Sequence, residues 1–445
     1  MLQERILAYI ENRDMEGLKS VLASAEDMEI LYAFNDISSE EQVIIFRLLA
    51  KDHALRIFEL LDTDLQQNLL RSFTDERAIE FVNEMAPDDR VKLLEEMPAG
   101  VAKRLINSIS PGERAATNIL MGYEPETAGR IMTTEYISLN RSMSAEQALD
   151  KVRRQAEGKE TIYTLYITDN AKKLEGVISL KDLLIAPVGS KIEDIMSKKT
   201  ISVFTGTDQE EVAQMLRELD LLAIPVVDKE ERLVGICTFD DVIDIIEQET
   251  TEDFSKMAAI TPINKPYNNM SVMEIVKARS PWLLILMISA TFTHMIIESF
   301  ESALELVPVL YAAIPMLMDT AGNAGAQSST TIVRAMSLNE VRLKNIFKII
   351  WKEISVAVIC GIILAVVNFG RMLFFTGASP AVAVVVSVTL ILTVFVAKAI
   401  GSALPMLAEK VRLDPAVMSA TVVTTIADIL ALIVYFNIAR VILGI

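Results

Sequence analysis

The chain has 445 residues and a formal net charge of −18, so it is strongly acidic and too long for one ordinary domain. The charge is uneven: residues 281–445 carry 10 basic and 9 acidic side chains, which leaves 32 basic and 51 acidic ones in residues 1–280. An acidic surface disfavours nucleic acid and anionic lipid and attracts divalent cations, although the acidic residues could also serve only to keep this part soluble.

Residues 1–128 have a helical pattern throughout. Proline and acidic residues mark the starts of short helices in the second half, as at Pro87-Asp88-Asp89, and both residue types suit the first turn of a helix. The starts recur at a nearly regular spacing, which favours an all-α superhelical domain. The first residues, 1–14, lack the apolar run of a signal peptide, so we expect this domain to lie in the cytoplasm.

Residues 129–250 contain an internal repeat, in which the order β-α-β-β-α is predicted once in 129–190 and again in 191–250. Ser144 and Thr207 are the predicted N-caps of the first helix of each unit. The predicted strands are 136–139, 161–168 and 174–179 in the first unit and 200–203, 223–227 and 233–238 in the second. The pattern predicts an α/β pair of small domains.

Residues 241–280 predict a connecting helix and linker with a turn-rich interruption at 261–269. The helix is rich in acidic residues, namely Asp241, Asp244, Glu247, Glu249, Glu252 and Asp253. An acidic helix beside an acidic domain is repelled by it, so cations bound between them would favour a compact arrangement. Any one of these residues could instead simply be solvated.

Five apolar stretches in residues 281–445 are near or above the length that crosses a bilayer: 281–303, 306–333, 354–370, 380–407 and 415–440. Basic residues lie before the first stretch, between the second and third, and between the fourth and fifth. This distribution predicts an all-α five-helix domain in the cytoplasmic membrane, with the N-terminus in the cytoplasm and the C-terminus outside. We expect Lys398 to extend its ammonium group to the inner surface.

One acidic residue stands alone in the last of these stretches. Asp428 has no other charged residue on either side of it within 415–439. A carboxylate in the membrane costs about 2.5–3.5 kcal/mol or more unless it meets water, a cation or a partner, so Asp428 is a functional candidate. A buried anion of this kind is expected on a path for cations.

The second apolar stretch carries a polar stripe. Asp319, Asn323 and Gln327 are spaced four residues apart, so they lie on one face of a helix. Glycine and alanine at 321, 322, 324, 325 and 326 remove side-chain bulk and let helix backbones approach closely. The stripe could serve only for hydrogen bonds between helices, but it fits a water-filled path better.

The repeat in 129–250 resembles a pair of cystathionine-β-synthase-type (CBS) domains. The resemblance rests on the pattern G-h-x-[ST]-x-x-D at 176–182 and again at 235–241. In that family the hydroxyl and the aspartate hold the ribose and phosphate of an adenine nucleotide. The resemblance therefore implies an ATP site at Ser179, Lys181 and Asp182, although many such pairs bind nothing and serve to form dimers.

The membrane motif P-x-x-x-D-x-x-G-N-x-G-x-Q at 315–327 resembles the signature of the MgtE family of magnesium channels. The order of a helical N-terminal domain (1–128), CBS pair, connecting or plug helix and five spans is also similar to that family, as is Asp414-Pro415-Ala416 at the start of the last span. The resemblance implies a homodimeric Mg²⁺ channel with Asp428 as the selectivity acid. It also implies pore-lining positions at Asp319, Asn323, Ala324, Gly325, Gln327, Thr424 and Thr425. Thr421 departs from the family, which usually has proline there, so a kink at that point is in doubt.

The resemblance further implies that cytosolic Mg²⁺ closes the channel by docking the N-terminal and CBS domains onto the connecting helix. The matching positions are Asp208, Glu210, Asp220, Asp241, Asp244, Glu249, Glu252 and Asp253. Mg²⁺ suits these residues, because it prefers oxygen ligands and usually keeps several of its waters.

Two alternatives stay open: a membrane-anchored CBS nucleotide sensor or scaffold that transports nothing, and a channel for other divalent cations such as Co²⁺ or Mn²⁺. We expect no enzyme, because the sequence has no P-loop, nucleophile elbow or metal-hydrolase motif. The two cysteines, Cys237 and Cys360, fall in apolar runs and indicate neither a disulfide framework nor a thiolate metal site.

Overall fold

The computed structural model describes residues 2–444 apart from 35–36, 62, 74, 96, 264, 266, 302–304, 306 and 419. The chain divides into two compact units, Met1–Glu247 and Gln248–Ile445, and each is described by itself.

The first part of unit one is an array of short helices. Their N-caps follow the local chemistry expected, since the side chains of Asp14, Ser38 and Ser110 each accept a hydrogen bond from the first turn of their helix. The helices are α1 (Leu2–Glu11), α2 (Met15–Ser24), α3 (Asp27–Phe34), α4 (Ser39–Leu48), α5 (Lys51–Glu59), α6 (Thr63–Ser72), α7 (Asp75–Glu84), α8 (Pro87–Glu95), α9 (Ala99–Ser108) and α10 (Pro111–Met121). The predicted all-α superhelical domain is confirmed.

Aromatic side chains fill the centre of this helical array. Phe46 contacts Phe34 edge to face at 5.3 Å between ring centroids, and Phe58 and Phe81 lie 5.4 Å apart. All four rings are buried, so they contribute both apolar area and favourable ring geometry to the core.

The rest of unit one holds two small sheets. In each sheet a first strand pairs parallel with a second, which pairs antiparallel with a third. The strands are β1 (Ser138–Asn140), β2 (Thr164–Thr168), β3 (Leu174–Ser179), β4 (Val203–Phe204), β5 (Ala223–Val227) and β6 (Leu233–Thr238). The accompanying helices are α11 (Ala128–Ile131), α12 (Ala145–Gln155), α13 (Leu180–Ile185), α14 (Ile192–Ile195) and α15 (Gln209–Glu218). The predicted α/β pair is confirmed.

One predicted cap in this pair is wrong by a residue. Ser144 caps α12 with a capping box, as expected, but α15 is capped by Asp208 and not by Thr207. The Thr207 hydroxyl instead accepts a hydrogen bond from the Phe204 backbone N–H at 3.1 Å, because the chain turns tightly after β4.

The connecting helix α16 (Phe239–Met257) agrees with the predicted one, and the linker after it contains a 3₁₀ turn at Tyr267–Asn269. Ser271 then starts α17 (Val272–Ser299) through a capping box with Glu274. This reciprocal cap fixes the start of the first apolar helix ahead of Pro281.

Unit two contains long helices that match the five predicted spans in order. They are α17, α18 (Val309–Ser337), α19 (Ile346–Arg371), α20 (Pro380–Lys410) and α21 (Ala420–Leu443). In the part of the chain that the structure describes, four segments are long and apolar enough to cross a membrane: Val272–Ser299, Leu343–Thr376, Pro380–Lys410 and Pro415–Leu443. The helix α18 is not among the four, because the polar stripe and small residues reduce its apolar content. At 29 residues it is about 43 Å long, which exceeds the hydrocarbon thickness.

The backbones of these helices contact one another at glycine positions. A Cβ atom on Gly401 of α20 would lie 2.3 Å from the Gly325 carbonyl oxygen of α18, and one on Gly361 of α19 would lie 3.0 Å from the Ile391 Cα. Larger residues at these glycines would force the helices apart. Small residues therefore set the spacing of α18, α19 and α20, as is common in membrane bundles.

The expectation for Lys398 is wrong. Its side chain does not extend to a surface but is buried, with the whole residue 6% exposed. The ammonium Nζ donates to the Ser328 hydroxyl at 3.2 Å and lies 3.8 Å from a Glu353 carboxylate oxygen. A paired carboxylate and a hydroxyl inside the bundle have replaced the interfacial water that we expected the lysine to reach.

Candidate ion-conducting site and regulatory carboxylates

Asp428 lies on α21 where that helix faces the glycine-rich part of α18. Its Oδ1 atom is buried and has no hydrogen-bond partner among the described residues. A Cβ atom on Gly322 would lie 3.5 Å from this Oδ1 and 2.6 Å from the Thr424 Cγ2. Gly322 therefore allows the carboxylate to lie close to the backbone of α18.

The polar stripe lies on one face of α18, as the spacing predicts. Asp319, Asn323 and Gln327 are all exposed within the single chain. The Asn323 Nδ2 donates to the Asp319 Oδ1 at 3.1 Å, so the two polar groups act as a pair one helical turn apart. Exposed groups of this kind are costly against lipid, which requires a partner or water over this face.

The other proposed pore-lining residues have different surroundings. Ala324 and Gly325 are buried, and a Cβ on Gly325 would meet the Val423 Cγ1 at 2.8 Å, so these small residues pack against α20 and α21 of the same chain. Thr424 and Thr425 are half-buried on α21, and each hydroxyl donates to the carbonyl four residues earlier. Their place along a pore stays a prediction.

Thr421, the position at which the sequence departs from the family pattern, lies in the first turn of α21. Its hydroxyl donates to the Met257 carbonyl at 3.4 Å, and α21 continues without a break to Leu443. A proline at this position would lack the hydroxyl. The threonine therefore gives this chain a hydrogen bond between the end of α16 and the start of α21.

Four carboxylates come together in unit one, where α8 begins beside the start of α16. Asp241 and Asp244 were expected to have a regulatory role, whereas Asp88 and Asp89 were noticed only as helix starters. The Asp88 Oδ1 is buried with no hydrogen-bond partner among the described residues. Burial, Asp241 and Asp89 together raise the pKa of Asp88 well above its usual value.

The neighbouring acids have shifted pKa values for the same reasons. Burial raises the pKa of Asp241 to about 6, against a hydrogen bond from the Thr238 hydroxyl that lowers it. Burial and the charge of Asp89 raise the pKa of Glu59 to about 7. The Lys92 ammonium pairs with one of these acids, since it lies 3.1 Å from Asp244. The arrangement concentrates negative charge that a divalent cation would neutralise.

Three predicted regulatory residues lie around α15. The Asp208 side chain caps this helix by accepting from the Glu210 backbone N–H at 2.8 Å, so both residues stand at its start. Asp220 follows the end of the helix in a left-handed conformation, with φ of 51°. About 15 Å of helix separates the two ends, so one chain does not bring Asp220 together with the other two.

A second acidic group lies in unit two. Glu252 and Asp414 both pair with the Lys256 ammonium, which lies 2.5 Å from the Asp414 carboxylate. Burial and Asp414 raise the pKa of Asp253. Glu249 lies on the same helix about one turn before Asp253, half-buried. Asp414 was missed as a regulatory candidate, although its place directly before Pro415 is visible in the sequence.

Among the described residues, no three histidine, cysteine or carboxylate side chains are close enough together to hold one bare metal ion. Mg²⁺ usually keeps several of its waters, and its ligands then reach it partly through them.

The first CBS unit holds the residues expected at a nucleotide. The Ser179 hydroxyl caps α13, donating to the Asp182 carboxylate at 2.7 Å and accepting from the Asp182 backbone N–H at 3.0 Å. Lys181 and Asp182 are exposed. In the second CBS repeat, which also lies in unit one, the corresponding Thr238 hydroxyl donates to Asp241. Asp241, however, takes part in the acidic group with Asp88.

Family profiles match three parts of the chain, and curated relatives match nearly all of it. The family profile described as a divalent cation transporter matches residues 314–438, the MgtE intracellular N domain profile matches 25–126, and the CBS domain profile matches 128–189 and 192–248. The magnesium transporter MgtE of Thermus thermophilus is 34% identical over 98% of this chain and 97% of its own length. The magnesium transporter MgtE of Bacillus subtilis is 31% identical over 98% and 96% of the two chains.

Two solved structures resemble the soluble part. The crystal structure of the cytosolic domain of the Mg²⁺ channel MgtE in complex with ATP is 33% identical, covers 55% of this chain and 99% of its own, and superposes with a TM-score of 0.53. The soluble part of a magnesium transporter is 31% identical, covers 56% and 98% of the two chains, and gives a TM-score of 0.52. The Thermus thermophilus transporter is 34% identical over 98% of this chain, and the divalent cation transporter profile matches its membrane part. The chain therefore belongs to the MgtE family of divalent cation transporters and is not an enzyme.

Proposed function

We propose that the chain forms a homodimeric Mg²⁺ channel of the cytoplasmic membrane, which conducts hydrated Mg²⁺ down its electrochemical gradient. The observation that carries the proposal is the Asp428 carboxylate, whose buried Oδ1 has no hydrogen-bond partner among the described residues and faces Gly322 of the helix that bears the polar stripe. Relatives of this chain are named magnesium transporters, and a solved relative is described as a Mg²⁺ channel.

The argument for two copies comes from the face of α18 that one chain leaves uncovered. Asp319, Asn323 and Gln327 are exposed there, and lipid cannot satisfy their hydrogen bonds. A second copy related by a two-fold axis would cover this face with the same groups and leave water between them. The axis would also supply a second Asp428, so that two carboxylates meet one divalent cation.

The choice of a hydrated ion follows from the ligands. Asp428 offers one carboxylate per chain, and the neighbouring Thr424 and Thr425 hydroxyls already donate to their own helix. Mg²⁺ exchanges its waters reluctantly, so a wide path lined by oxygen atoms suits it better than a cage. Channels for Co²⁺ or Mn²⁺ would use the same groups, and competition by these ions in the flux assay separates the possibilities.

The proposed orientation has the N-terminus in the cytoplasm and the C-terminus outside. Basic residues at 277 and 279, at 334–352 and at 410–412 would then all lie on the cytoplasmic side. Protease access from each side of oriented vesicles tests the orientation.

We propose domain boundaries at 1–128 for the helical domain, 129–250 for the CBS pair, 241–280 for the connecting segment and 281–445 for the membrane domain.

We propose further that cytosolic Mg²⁺ closes the channel by neutralising the carboxylates of the N-terminal domain and the connecting helix. The position of Asp88 beside Asp241 supports this proposal: its buried Oδ1 has no hydrogen-bond partner among the described residues, and like charges here repel until a cation or a proton binds. We also propose Mg²⁺ binding at the carboxylates of Asp208, Glu210, Asp220, Asp244, Glu249, Glu252 and Asp253.

ATP is proposed as a ligand of the CBS pair at Ser179, Lys181 and Asp182. A relative's cytosolic domain was crystallised in complex with ATP, and Lys181 and Asp182 are exposed here just after the end of β3. Calorimetry with ATP on the full chain, with Asp182→Asn as the comparison, tests the site. ATP binding by a chain that conducts no Mg²⁺ would favour the sensor or scaffold alternative.

The test of the channel is Mg²⁺ uptake into liposomes that contain the purified full chain and a Mg²⁺ indicator. We expect the parent chain to conduct and Asp428→Ala to lose about tenfold or more of the uptake rate, because the charge that attracts the ion is gone. Glu340→Ala removes an exposed acid from the loop after α18 and is the matched control, with uptake like the parent. Uptake by Asp428→Ala equal to that of Glu340→Ala would refute the assignment.

A further inference from the structure

Three side chains from three helices form a buried polar network inside unit two. The Ser328 hydroxyl of α18 accepts from the Lys398 ammonium of α20 at 3.2 Å and donates to the Glu353 carboxylate of α19 at 2.6 Å. The ammonium and the carboxylate are 3.8 Å apart, and their side chains are only 8% and 16% exposed. The network therefore joins three of the long helices at one point.

A charge pair of this kind is expensive to bury and is not needed to fill space. Apolar residues of similar volume commonly replace a buried ion pair without loss of stability, whereas removal of one partner strands the other charge. Ionisable residues inside membrane helices are rare for the same reason and mark a function by default. The network therefore requires an explanation beyond packing.

Its position points to α18. Ser328 directly follows Gln327, the last member of the polar stripe, but lies on a buried side of the helix. The next residue, Ser329, is fully buried and donates its hydroxyl to the Met418 carbonyl just before α21. Two consecutive serines thus fix one turn of α18 to α19 and α20 on one side and to the start of α21 on the other.

This turn lies on the same helix as the groups that surround Asp428. Gly322 and Gly325 make close contacts with Thr424, Val423 and the α20 backbone, and these contacts tolerate little rotation of α18. A directional network one to two turns away sets that rotation, because hydrogen bonds depend on angle whereas apolar contacts do not.

We propose that Lys398, Glu353 and Ser328 are positioning residues for conduction: they fix the rotation of α18 that presents the polar stripe to the ion path and Gly322 to Asp428. The proposal rests on the proposed channel function. None of the three residues needs to touch the ion, and their effect on it is carried through α18.

The test uses the full chain with Lys398→Met, Glu353→Gln and the double variant Lys398→Met/Glu353→Gln. Each single variant leaves one buried group without its ionic partner, so we expect less folded protein. The double variant leaves no stranded charge and should recover folded protein, measured as the monodisperse fraction after purification. The matched control is Glu409→Gln/Lys410→Met, which removes the same two charges from the exposed end of α20.

Transport by the folded double variant decides the proposal. We expect its half-saturating Mg²⁺ concentration to rise, or its Mg²⁺-to-Co²⁺ uptake ratio to fall, by about fivefold or more, while the control stays like the parent. A double variant with the parent's half-saturation and uptake ratio would show that the network only stabilises the fold, and the proposal would be wrong.

A second readout does not depend on transport. In a chain with Cys237→Ser and Cys360→Ser, a cysteine placed at Gln327 reports on the exposed face of α18 through its rate of reaction with a water-soluble maleimide. We expect the double variant to change that rate about threefold or more, since the helix is free to rotate. An unchanged rate contradicts the positioning role, whereas a parent chain that conducts no Mg²⁺ contradicts the proposed function itself.

Discussion

At the scale of single residues, Gly322 is as important to the proposed site as the acid that it faces. A side chain at this position would collide with Thr424, whose Cγ2 lies 2.6 Å from the place of a Cβ, and would approach the Asp428 oxygen at 3.5 Å. The close approach of α18 to Thr424 and Asp428 therefore depends on residue 322 having no side chain.

Gly322→Ala should disturb both packing and conduction. We expect a loss of about 1–3 kcal/mol in the free energy of unfolding and about a tenfold lower Mg²⁺ uptake rate, because α18 and α21 must separate to admit the methyl group. Uptake into liposomes and the thermal unfolding midpoint measure the two effects. Gly370→Ala is the control, since a Cβ there meets nothing within 4 Å and should be neutral or stabilise slightly. Equal behaviour of the two variants would contradict the proposed crowding at Gly322.

Sequence reasoning reached the residues whose role follows from local spacing or lone charge. Asp428 stood out because no other charge lies near it in the sequence, and the stripe of Asp319, Asn323 and Gln327 followed from the helical repeat. Asp88 and the partners of Lys398 were missed, because their neighbours are far away in sequence: Asp241 is 153 residues from Asp88, and Ser328 is 70 residues from Lys398. No local pattern encodes such distant pairs.

At the scale of elements, one arginine holds α7, α8 and α10 together. Arg90 is fully buried; its guanidinium donates to the Val82 carbonyl at 2.6 Å and the Met85 carbonyl at 2.5 Å and pairs with Glu113 at 2.8 Å. These carbonyls lie at the end of α7, where a helix has no partners of its own for them. The arginine thus replaces the missing helical hydrogen bonds.

Arg90→Met should therefore be among the most damaging changes in the N-terminal domain. We expect the free energy of unfolding for the first thermal transition to fall by about 3–5 kcal/mol, because Glu113 and the α7 carbonyls lose their charged donor. Circular dichroism against temperature measures this loss. Arg47→Met on α4 removes an exposed arginine and should change the same transition by less than about 0.5 kcal/mol. If Arg90→Met changed the free energy of unfolding as little as Arg47→Met does, the network would contribute little to stability.

Element predictions succeeded where hydrophobic runs are bounded by turn residues. The bounds of β3, β5 and β6 agree with the predicted ones residue for residue, whereas β4 shares only Val203 with the strand predicted at 200–203. The cap of α15 was placed one residue early, because threonine and aspartate are both good caps and only the turn after β4 decides between them. The stretch 306–333 was predicted as one of five apolar spans, and α18 lies there, although its apolar content is lower than that of the other four long helices.

At the scale of the whole molecule, the raised pKa values in unit one make its stability depend on pH. Asp241 and Glu59 have pKa values of about 6 and about 7, and that of Asp88 is also raised. The folded state therefore binds more protons than the unfolded state between about pH 4 and pH 7, so stability falls as the pH rises through this window. Asp27, whose pKa is lowered, titrates below it.

We accordingly expect the cytosolic unfolding transition of the full chain, without Mg²⁺, to lie at a higher temperature at about pH 5.5 than at about pH 7.5. Millimolar Mg²⁺ should raise the midpoint more at the higher pH, because only the ionised carboxylates bind it. Scanning calorimetry at the two pH values measures both effects. Asp88→Asn should reduce both, whereas Glu340→Ala should leave them unchanged. A midpoint that falls on acidification, or ignores Mg²⁺ at the higher pH, contradicts the proposed gate.

The most direct measurement of the proposed channel is whether residue 428 of one chain meets residue 428 of a second. In membranes that contain the chain with Cys237→Ser, Cys360→Ser and Asp428→Cys, a short reagent that links two thiols should give a covalent dimer. A cysteine in place of Val441, which is 83% exposed near the end of the same helix, should give none at that reagent concentration. The account predicts this difference. It is contradicted if the 428 cysteines stay unlinked although the chain with Asp428 conducts Mg²⁺.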